Sequence, residues 1–271
     1  MTTIHQDIFY PNDREELKQM VQPAVQEKGK TNNGVKALIT PHAGYGYIKD
    51  LLIDAYKRVS ANAYKRVVIL YPSHQGPMEA DKPQFIFAPA DESMTTPLGE
   101  VTFDTTAIAT LSAKYADMKQ SNTYLEEEPS VELNLPFIQI LFPEAKLIPL
   151  CCIPVKSNQV KTVAQIIEDL QTPDTLFILS ANANQLVQKT LCLQNAENLV
   201  KSLSEKEPLL SHVRSHEITC CGAGSIEAIN RVFKQEHWEM ITFEAKGNTA
   251  KTLKEVAVDT KAIYHLSAVL Q

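Results

Sequence analysis

Short, fully apolar runs alternate along this chain with amphipathic stretches of helical length. Runs such as VVIL, LIPL and LFIL lack the polar alternation of a strand that faces water on one side. Such runs are typical of strands buried on both faces, as in a parallel sheet covered by helices. The pattern therefore predicts the α/β class, with residues 1–271 forming a single three-layer α/β/α domain around a mostly parallel central sheet.

The same pattern gives approximate bounds for each element. Strands are predicted at 35–40, 66–71, 84–88, 146–152, 175–180, 217–221, 239–243 and 263–268. Helices are predicted at 12–27, 48–60, 104–115, 131–141, 157–170, 194–203 and 223–235. Asn12 or Asp13 is suited to cap the first helix. Segment 75–100 is richer in proline and polar residues, which favours an excursion at the edge of the sheet.

Two of the predicted strands lead into a histidine. Strand 35–40 is followed by Pro41-His42, and strand 66–71 is followed by Pro72-Ser73-His74. One helix-length stretch separates them, so they form a β-α-β unit whose carboxyl ends share one sheet edge, where open α/β sheets bind ligands. If the strands are neighbours, about 5 Å apart, the imidazoles can share a metal ion or a substrate. One isolated histidine is more often a surface or capping residue; two at equivalent strand ends favour a shared site.

A cysteine is predicted at another strand end. Strand 217–221 finishes with Cys220-Cys221 and is followed by a Gly-Ala-Gly turn into a helix. A thiolate at such a turn is stabilised by the helix N-terminus, which favours Cys221 as a ligand or nucleophile. The alternative for Cys221 is a small buried hydrophobe, which is the commoner role of a single cysteine. Its neighbour Cys220 should point the other way, into packing. The turn lacks a GxGxxG or Walker pattern, so nucleotide binding is not predicted.

The remaining polar positions near this edge offer little acid–base chemistry. Asn182 and Gln185 follow strand 175–180 and can orient a ligand, but neither titrates near pH 7. Gly44 lets a ligand approach the backbone closely. The acidic run at 126–128 is interpreted as a solvated charged surface.

Composition narrows the classes of partner and location. The 271 residues are 44% hydrophobic and 21% charged, with a net charge of −6 and a pI near 5.7. This mild acidity argues against nucleic acid as a partner. No run of 18 apolar residues is present, so no membrane association is expected. The five cysteines form no CxxC pair, and the N-terminus lacks an apolar signal core; a reducing, cytoplasmic location is expected.

Several motifs, in order along almost the whole chain, resemble those of the Memo family, also called AmmeMemoRadiSam system protein B. They are FYP at 9–11, PHAGY at 41–45, VILYPSH at 68–74, TPLGEV at 96–101, SVELNLPF at 130–137 and TCCG at 219–222. The resemblance implies a fold similar to LigB-type class III extradiol dioxygenases and an iron- or copper-linked redox role. Matched motif by motif, His42, His74 and Cys221 resemble the metal ligands of the family.

The chain departs from the family pattern at three positions. Pro129 and Gln185 stand where the family has histidine, and Asn182 stands where it has aspartate. The missing groups are those that a mechanism would use as acid, base or support for the metal ligands.

Two functions follow from these observations. The first is a metal-dependent redox protein whose iron or copper is held by His42, His74 and Cys221. The second is a non-catalytic protein with a vestigial metal site, which binds a peptide or small molecule in the strand-end cleft. The predicted ligand-binding residues are Gly44, Tyr45, Glu132, Asn182 and Gln185. A zinc hydrolase is a weaker third hypothesis, because no carboxylate lies at a predicted strand end to act as a base.

Overall fold

The computed structural model describes residues 1–25, 34–74, 84–153, 156–184, 187–247 and 261–271. The strands are β1 (Ala37–Thr40), β2 (Arg66–Tyr71), β3 (Ile86–Ala88), β4 (Ser93–Thr96), β5 (Gly99–Thr102), β6 (Met118–Gln120), β7 (Lys146–Cys152), β8 (Thr175–Ser180), β9 (Val187–Gln188), β10 (Trp238–Gly247) and β11 (Lys261–Leu270). The helices are α1 (Arg14–Val21), α2 (Tyr45–Tyr56), α3 (Thr105–Lys114), α4 (Thr123–Glu126), α5 (Pro129–Glu132), α6 (Leu135–Leu141), α7 (Ser157–Leu170), α8 (Lys189–Glu205), α9 (Leu209–Arg214) and α10 (Ala223–Val232).

Within these ranges, one large sheet contains nine strands. Its order is β10-β11-β1-β8-β2-β7-β3-β6, and β9 pairs with β11. The four central strands β1, β8, β2 and β7 are parallel, while β11 and β3 pair antiparallel to them at either side. Strands β4 and β5 form a separate hairpin. The predicted fold class is confirmed: a large, mostly parallel central sheet is flanked by helices.

The two sides of the sheet follow from the direction of the crossovers. From β1 to β2 the chain moves two positions in one direction, whereas from β7 to β8 it moves two positions back. Because such crossovers are right-handed, α2 and α7 lie on opposite faces. Helices α1 and α6 pack with the α2 side, and α10 packs on α7. The central strands are therefore covered on both faces, which explains their fully apolar sequences.

The main departure from the predicted elements is segment 217–221, which forms no strand. Ile218 and Cys220 are buried alternately, which is what made the segment resemble one. Its backbone instead bonds the end of α9, with the N–H groups of Glu217 and Ile218 donating to the carbonyl of His212 at 2.9 and 3.3 Å. Cys221 therefore lies on a turn before α10, so its predicted placement at a strand end is wrong.

Other differences concern bounds and short elements. The predicted helix 131–141 is two helices, α5 and α6. The predicted helix 12–27 is α-helical from Arg14 to Val21, with Asp13 as its N-terminal cap, and residues 26–27 lie outside the described residues. Segment 75–100 contributes β3, which lies inside the sheet between β7 and β6 rather than at its edge; residues 75–83 lie outside the described residues. The short strands β4, β5, β6 and β9 were not predicted, because each is only two to four residues long.

Glu132 fixes the N-terminal segment to the body of the protein. Its buried carboxylate accepts hydrogen bonds from the backbone N–H groups of Ile4 and His5, at 3.2 and 2.9 Å. It also contacts Nδ1 of His5 at 2.9 Å and accepts from the hydroxyl of Tyr10 at 2.6 Å. A buried carboxylate with this many donors stabilises the fold only while they remain paired with it.

We expect Glu132→Ala to lower the free energy of unfolding by about 2–4 kcal/mol, because it leaves buried donors of Tyr10 and His5 unpaired. Urea denaturation followed by far-UV circular dichroism measures this. Glu127→Ala, at an exposed position of the same acidic run, is the control and should change the midpoint little. Equal midpoints for the two variants would contradict this role of Glu132.

Candidate metal site

His42 lies two residues beyond β1 and its ring is fixed from behind by Ser180, the last residue of β8. Its Nδ1 is 3.0 Å from the Ser180 hydroxyl oxygen. That hydroxyl donates its single proton to the carbonyl of Ser130, at 2.9 Å, so it accepts from His42 and Nδ1 carries the proton. Nε2 of His42 is therefore left to face Cys221, whose sulfur is 3.5 Å away.

His74 lies three residues beyond β2 and is fixed by Glu128. Both carboxylate oxygens of Glu128 are 3.0 Å from Nδ1 of His74, and one of them also accepts the His74 backbone N–H at 2.9 Å. Glu128 is 1% exposed, and it also accepts hydrogen bonds from the hydroxyl and N–H of Ser130. This carboxylate–imidazole pair holds the proton on Nδ1, so Nε2 can bind a metal ion.

Cys221 reaches the two imidazoles from the turn before α10. The backbone N–H of Asn182 donates to its sulfur at 3.2 Å. The next residue, Gly222, lies so close to β8 that a Cβ built there would be 2.5 Å from the Cβ of Ala181. Glycine at 222 therefore allows this turn to pack against the end of β8, which brings the thiol to the sheet edge.

These three side chains form a compact group of metal-ligand type. One ligand atom from each lies within 4.8 Å of the other two, and the ring centroids of His42 and His74 are 5.0 Å apart. His42 is buried, whereas His74 and Cys221 are exposed. The group therefore opens to solvent on one side.

The charges of the group are linked. Although Cys221 is partly exposed, desolvation of its sulfur among these neighbours opposes its ionisation; the electrostatic interaction and hydrogen bond with the His42 ring, the hydrogen bond with His74 and the Asn182 N–H outweigh it and lower the pKa of the thiol to about 6. Hydrogen bonds to Cys221 and Glu128 raise the pKa of His74 to about 10. Burial of Glu128 also opposes ionisation, but the hydrogen bond and charge of His74 lower the pKa of its carboxyl. At neutral pH the metal-free group thus holds a thiolate beside the His74 imidazolium, and a metal ion that binds His74 must displace the proton on Nε2.

The predicted ligand-binding residues are placed in different surroundings. Asn182 lies at the group, but its carboxamide bonds the backbone of His42 at 3.0 and 3.1 Å. Gly44 and Tyr45 contact the N-terminal segment: Tyr45 N–H donates to the carbonyl of Phe9 at 2.7 Å, and its buried hydroxyl donates to the carbonyl of Leu133. Glu132 serves the same segment, as described above. Gln185 lies outside the described residues.

Glu128, Ser180 and His265 support the group and were not singled out in the sequence. Interpreting residues 126–128 as a solvated surface is wrong for Glu128, which is buried against His74. The sequence did offer one indication of a role for Glu128: it lies two residues before Ser130, in the segment aligned with a family motif. Ser180 could have been predicted to lie near the site, because it is the last residue of β8. His265, in β11, bonds Asn182 across the sheet and no local pattern marks it.

This fold and site define an α/β protein with a His/His/Cys group at the carboxyl edge of its parallel strands. The sequence model of the Memo-like protein family matches residues 3–261, so the chain belongs to that family. The resemblance noted from the motifs is confirmed.

Two relatives match most of this chain. A MEMO1 family protein of Aquifex aeolicus is 28% identical over 218 residues, covering 79% of each chain. One from Methanopyrus kandleri is 24% identical over 268 residues, covering 92% of this chain and 93% of the relative. A crystal structure of an uncharacterized protein from Escherichia coli K12 superposes with a TM-score of 0.52 at 10% identity, covering 88% of this chain and 100% of that one, which supports the fold alone.

Among the described residues, no helix has both the length and the apolar character needed to cross a bilayer.

We expect Cys221 of the metal-free protein to react with iodoacetamide at a rate that rises with pH around a midpoint of about 6, because its pKa is lowered to that value. Mass spectrometry of chelator-treated protein counts the modified sites. The other four cysteines are buried and serve as internal controls that stay unmodified. A midpoint near the ordinary thiol value of about 8.5 would show that the imidazoles do not stabilise the thiolate.

Proposed function

We propose that His42, His74 and Cys221 bind one copper or iron ion, and that the protein is a redox protein built around this site. The observation that carries the proposal is the separate support of each ligand. Ser180 and Glu128 hold the protons on the Nδ1 atoms, and a backbone N–H is aimed at the sulfur. Such supporting groups orient ligands and set their protonation before a metal binds.

The spacing of the donors fits a single ion. Bond lengths of about 2.0–2.1 Å to nitrogen and 2.3 Å to sulfur, at a tetrahedral angle, place the two donors about 3.5 Å apart. The distance from Nε2 of His42 to the sulfur of Cys221 is also 3.5 Å. Other pairs in the group are separated by up to 4.8 Å, so binding requires a small adjustment. His74, whose side chain is 48% exposed, is the ligand with room to move.

The donor types favour copper and also accept iron. Imidazole nitrogen binds copper, iron and zinc, and a thiolate favours copper(I) and zinc. Two imidazoles and one thiolate form the trigonal set found in copper electron-transfer sites. A bound copper or iron ion would supply one-electron redox chemistry. Hydrogen bonding around the cysteine sulfur tunes the reduction potential of such sites, which gives the Asn182 N–H a role here.

The surroundings support electron exchange more than proton transfer. Glu128 is the carboxylate that contacts the group in the described part of the chain, and its oxygens are occupied by His74 and Ser130. Asn182 is a neutral amide bonded to the backbone. The exposed side formed by His74 and Cys221 leaves room for a small reductant, oxidant or other ligand. The alternative function, a cleft that only binds a peptide, is less well supported, because Gly44 and Tyr45 contact the N-terminal segment and not an open cleft.

We expect purified protein to bind one copper or iron ion, and His42→Ala or Cys221→Ser to abolish this binding without changing the thermal unfolding of the metal-free protein much. Titration calorimetry and elemental analysis, with no nickel-affinity step, measure the stoichiometry. His237→Ala removes an exposed histidine away from the group and is the matched control. Binding of the same strength in all variants would overturn the proposed site.

Redox function is tested on the loaded protein by cyclic reduction with ascorbate and reoxidation in air, followed spectroscopically. Reversible cycling that is absent in Cys221→Ser is the expected result. Tight metal binding without reversible reduction and reoxidation would be consistent with a metal-binding role and would contradict the redox role.

We expect Glu128→Gln to weaken metal affinity about 10–100-fold, the range typical of lost supporting groups. Glutamine fills the same volume but loses the negative charge that holds the proton on His74 Nδ1. Competition with a chromophoric chelator gives the dissociation constants, and Glu127→Gln in the adjacent exposed position is the control. An unchanged constant would show that Glu128 supports the fold and not the metal.

A further inference from the structure

We propose that His265, on β11, is a positioning residue of this site, which fixes the Asn182 carboxamide and through it the placement of His42 and Cys221. The part of this inference that concerns metal affinity rests on the proposed function. The part that concerns hydrogen bonds within the metal-free protein does not.

Asn182 is the residue that joins two of the three candidate ligands. Its carboxamide forms a pair of bonds with the backbone of His42: the oxygen accepts the His42 N–H at 3.1 Å, and the nitrogen donates to the His42 carbonyl at 3.0 Å. Its own backbone N–H donates to the sulfur of Cys221 at 3.2 Å. A displacement of Asn182 would therefore shift both ligands relative to each other.

The carboxamide has one orientation that satisfies both bonds to His42, and His265 supports that orientation. Nδ1 of His265 lies 3.1 Å from the Asn182 oxygen. This oxygen carries no proton, so His265 must donate and its Nδ1 is protonated. Rotating the carboxamide by 180° would place the amide nitrogen against two donors, the His42 N–H and His265 Nδ1. His265 thus opposes the rotated form of Asn182.

The position of His265 gives this contact its rigidity. The side chain is 0% exposed, and its strand β11 pairs antiparallel with β1, the strand that leads into His42. Asn182 follows β8, which pairs with β1 on the other side. The bond from His265 to Asn182 therefore passes over the end of β1 and ties its two neighbouring strands together at the site.

These bonds also explain why a neutral amide is suited to position 182. An aspartate would accept from His42 N–H and from His265, but its second oxygen would face the His42 carbonyl oxygen without a proton between them. Added negative charge near a metal ion generally favours its binding; here it would come with repulsion at the backbone of one ligand. We therefore expect Asn182→Asp to weaken metal binding.

The test compares His265→Leu, which removes the donor, with His265→Asn, whose side-chain amide can still donate to Asn182. Hydrogen–deuterium exchange of the His42 amide, followed by NMR on metal-free protein, reports the bond that Asn182 holds. We expect exchange about tenfold faster in His265→Leu and near wild-type exchange in His265→Asn. Amides of β2, such as Val68 and Ile69, are the internal control for global stability and should not change.

The metal readout uses the same variants with copper(I) or iron(II) added alone. We expect an affinity loss of about tenfold or more in His265→Leu and Asn182→Asp, and recovery in His265→Asn. Should His265→Leu not fold, His265→Val, whose branched side chain suits a strand, gives the same comparison.

Unchanged His42 exchange in the folded leucine or valine variant would overturn the role of His265, as would an equal loss in His265→Asn. Tighter metal binding by Asn182→Asp would also overturn it. If the wild-type protein binds neither metal, the proposed function fails, and the exchange at His42 still decides the role of His265.

Discussion

The position of β8 between β1 and β2 determines how the site is built. The two histidine-bearing strands are separated by two strand spacings, close to 10 Å, yet the rings are 5.0 Å apart. The side chains therefore lean towards each other over the end of the intervening strand. That strand end supplies Ser180, which holds His42, and Asn182, whose N–H reaches Cys221. The intervening strand thus provides the groups that orient the ligands.

Each candidate ligand depends on a different part of the chain for its orientation. His42 relies on β8, His74 on Glu128 just before α5, and Cys221 on the close packing of Gly222 against Ala181. Helix α5 also fixes the N-terminal segment, because Glu132, its last residue, binds that segment. The site and the N-terminal segment therefore share one short helix, and a change in α5 is expected to affect both.

Much of the architecture was predictable because burial on both faces leaves a strong apolar signal in the central strands. The bounds of β2, β7, β8 and α7 match the predicted ranges. The order of the strands was not predictable, since placing β8 between β1 and β2 depends on contacts far apart in sequence. Segment 217–221 shows a further limit: alternating burial of Ile218 and Cys220 looks like a strand, but none of the described strands pairs with it.

The site was predictable for the residues that follow strands and less so for those that support them. His42 and His74 follow from the β-α-β pattern, and Cys221 was found despite the wrong element. Glu128 was hidden in an acidic run whose other members are exposed. His265 reaches the site because β11 pairs with β1, a contact between residues far apart in sequence. Supporting residues are fixed by tertiary hydrogen bonds, which leave no local pattern.

X-ray absorption spectroscopy of the metal-loaded protein tests the central claim most directly, since it measures the atoms bound to the ion. The account predicts two nitrogen neighbours at about 2.0 Å and one sulfur neighbour at about 2.3 Å in the wild-type protein. A coordination shell of nitrogen and oxygen without sulfur in the wild-type protein would contradict the His/His/Cys site.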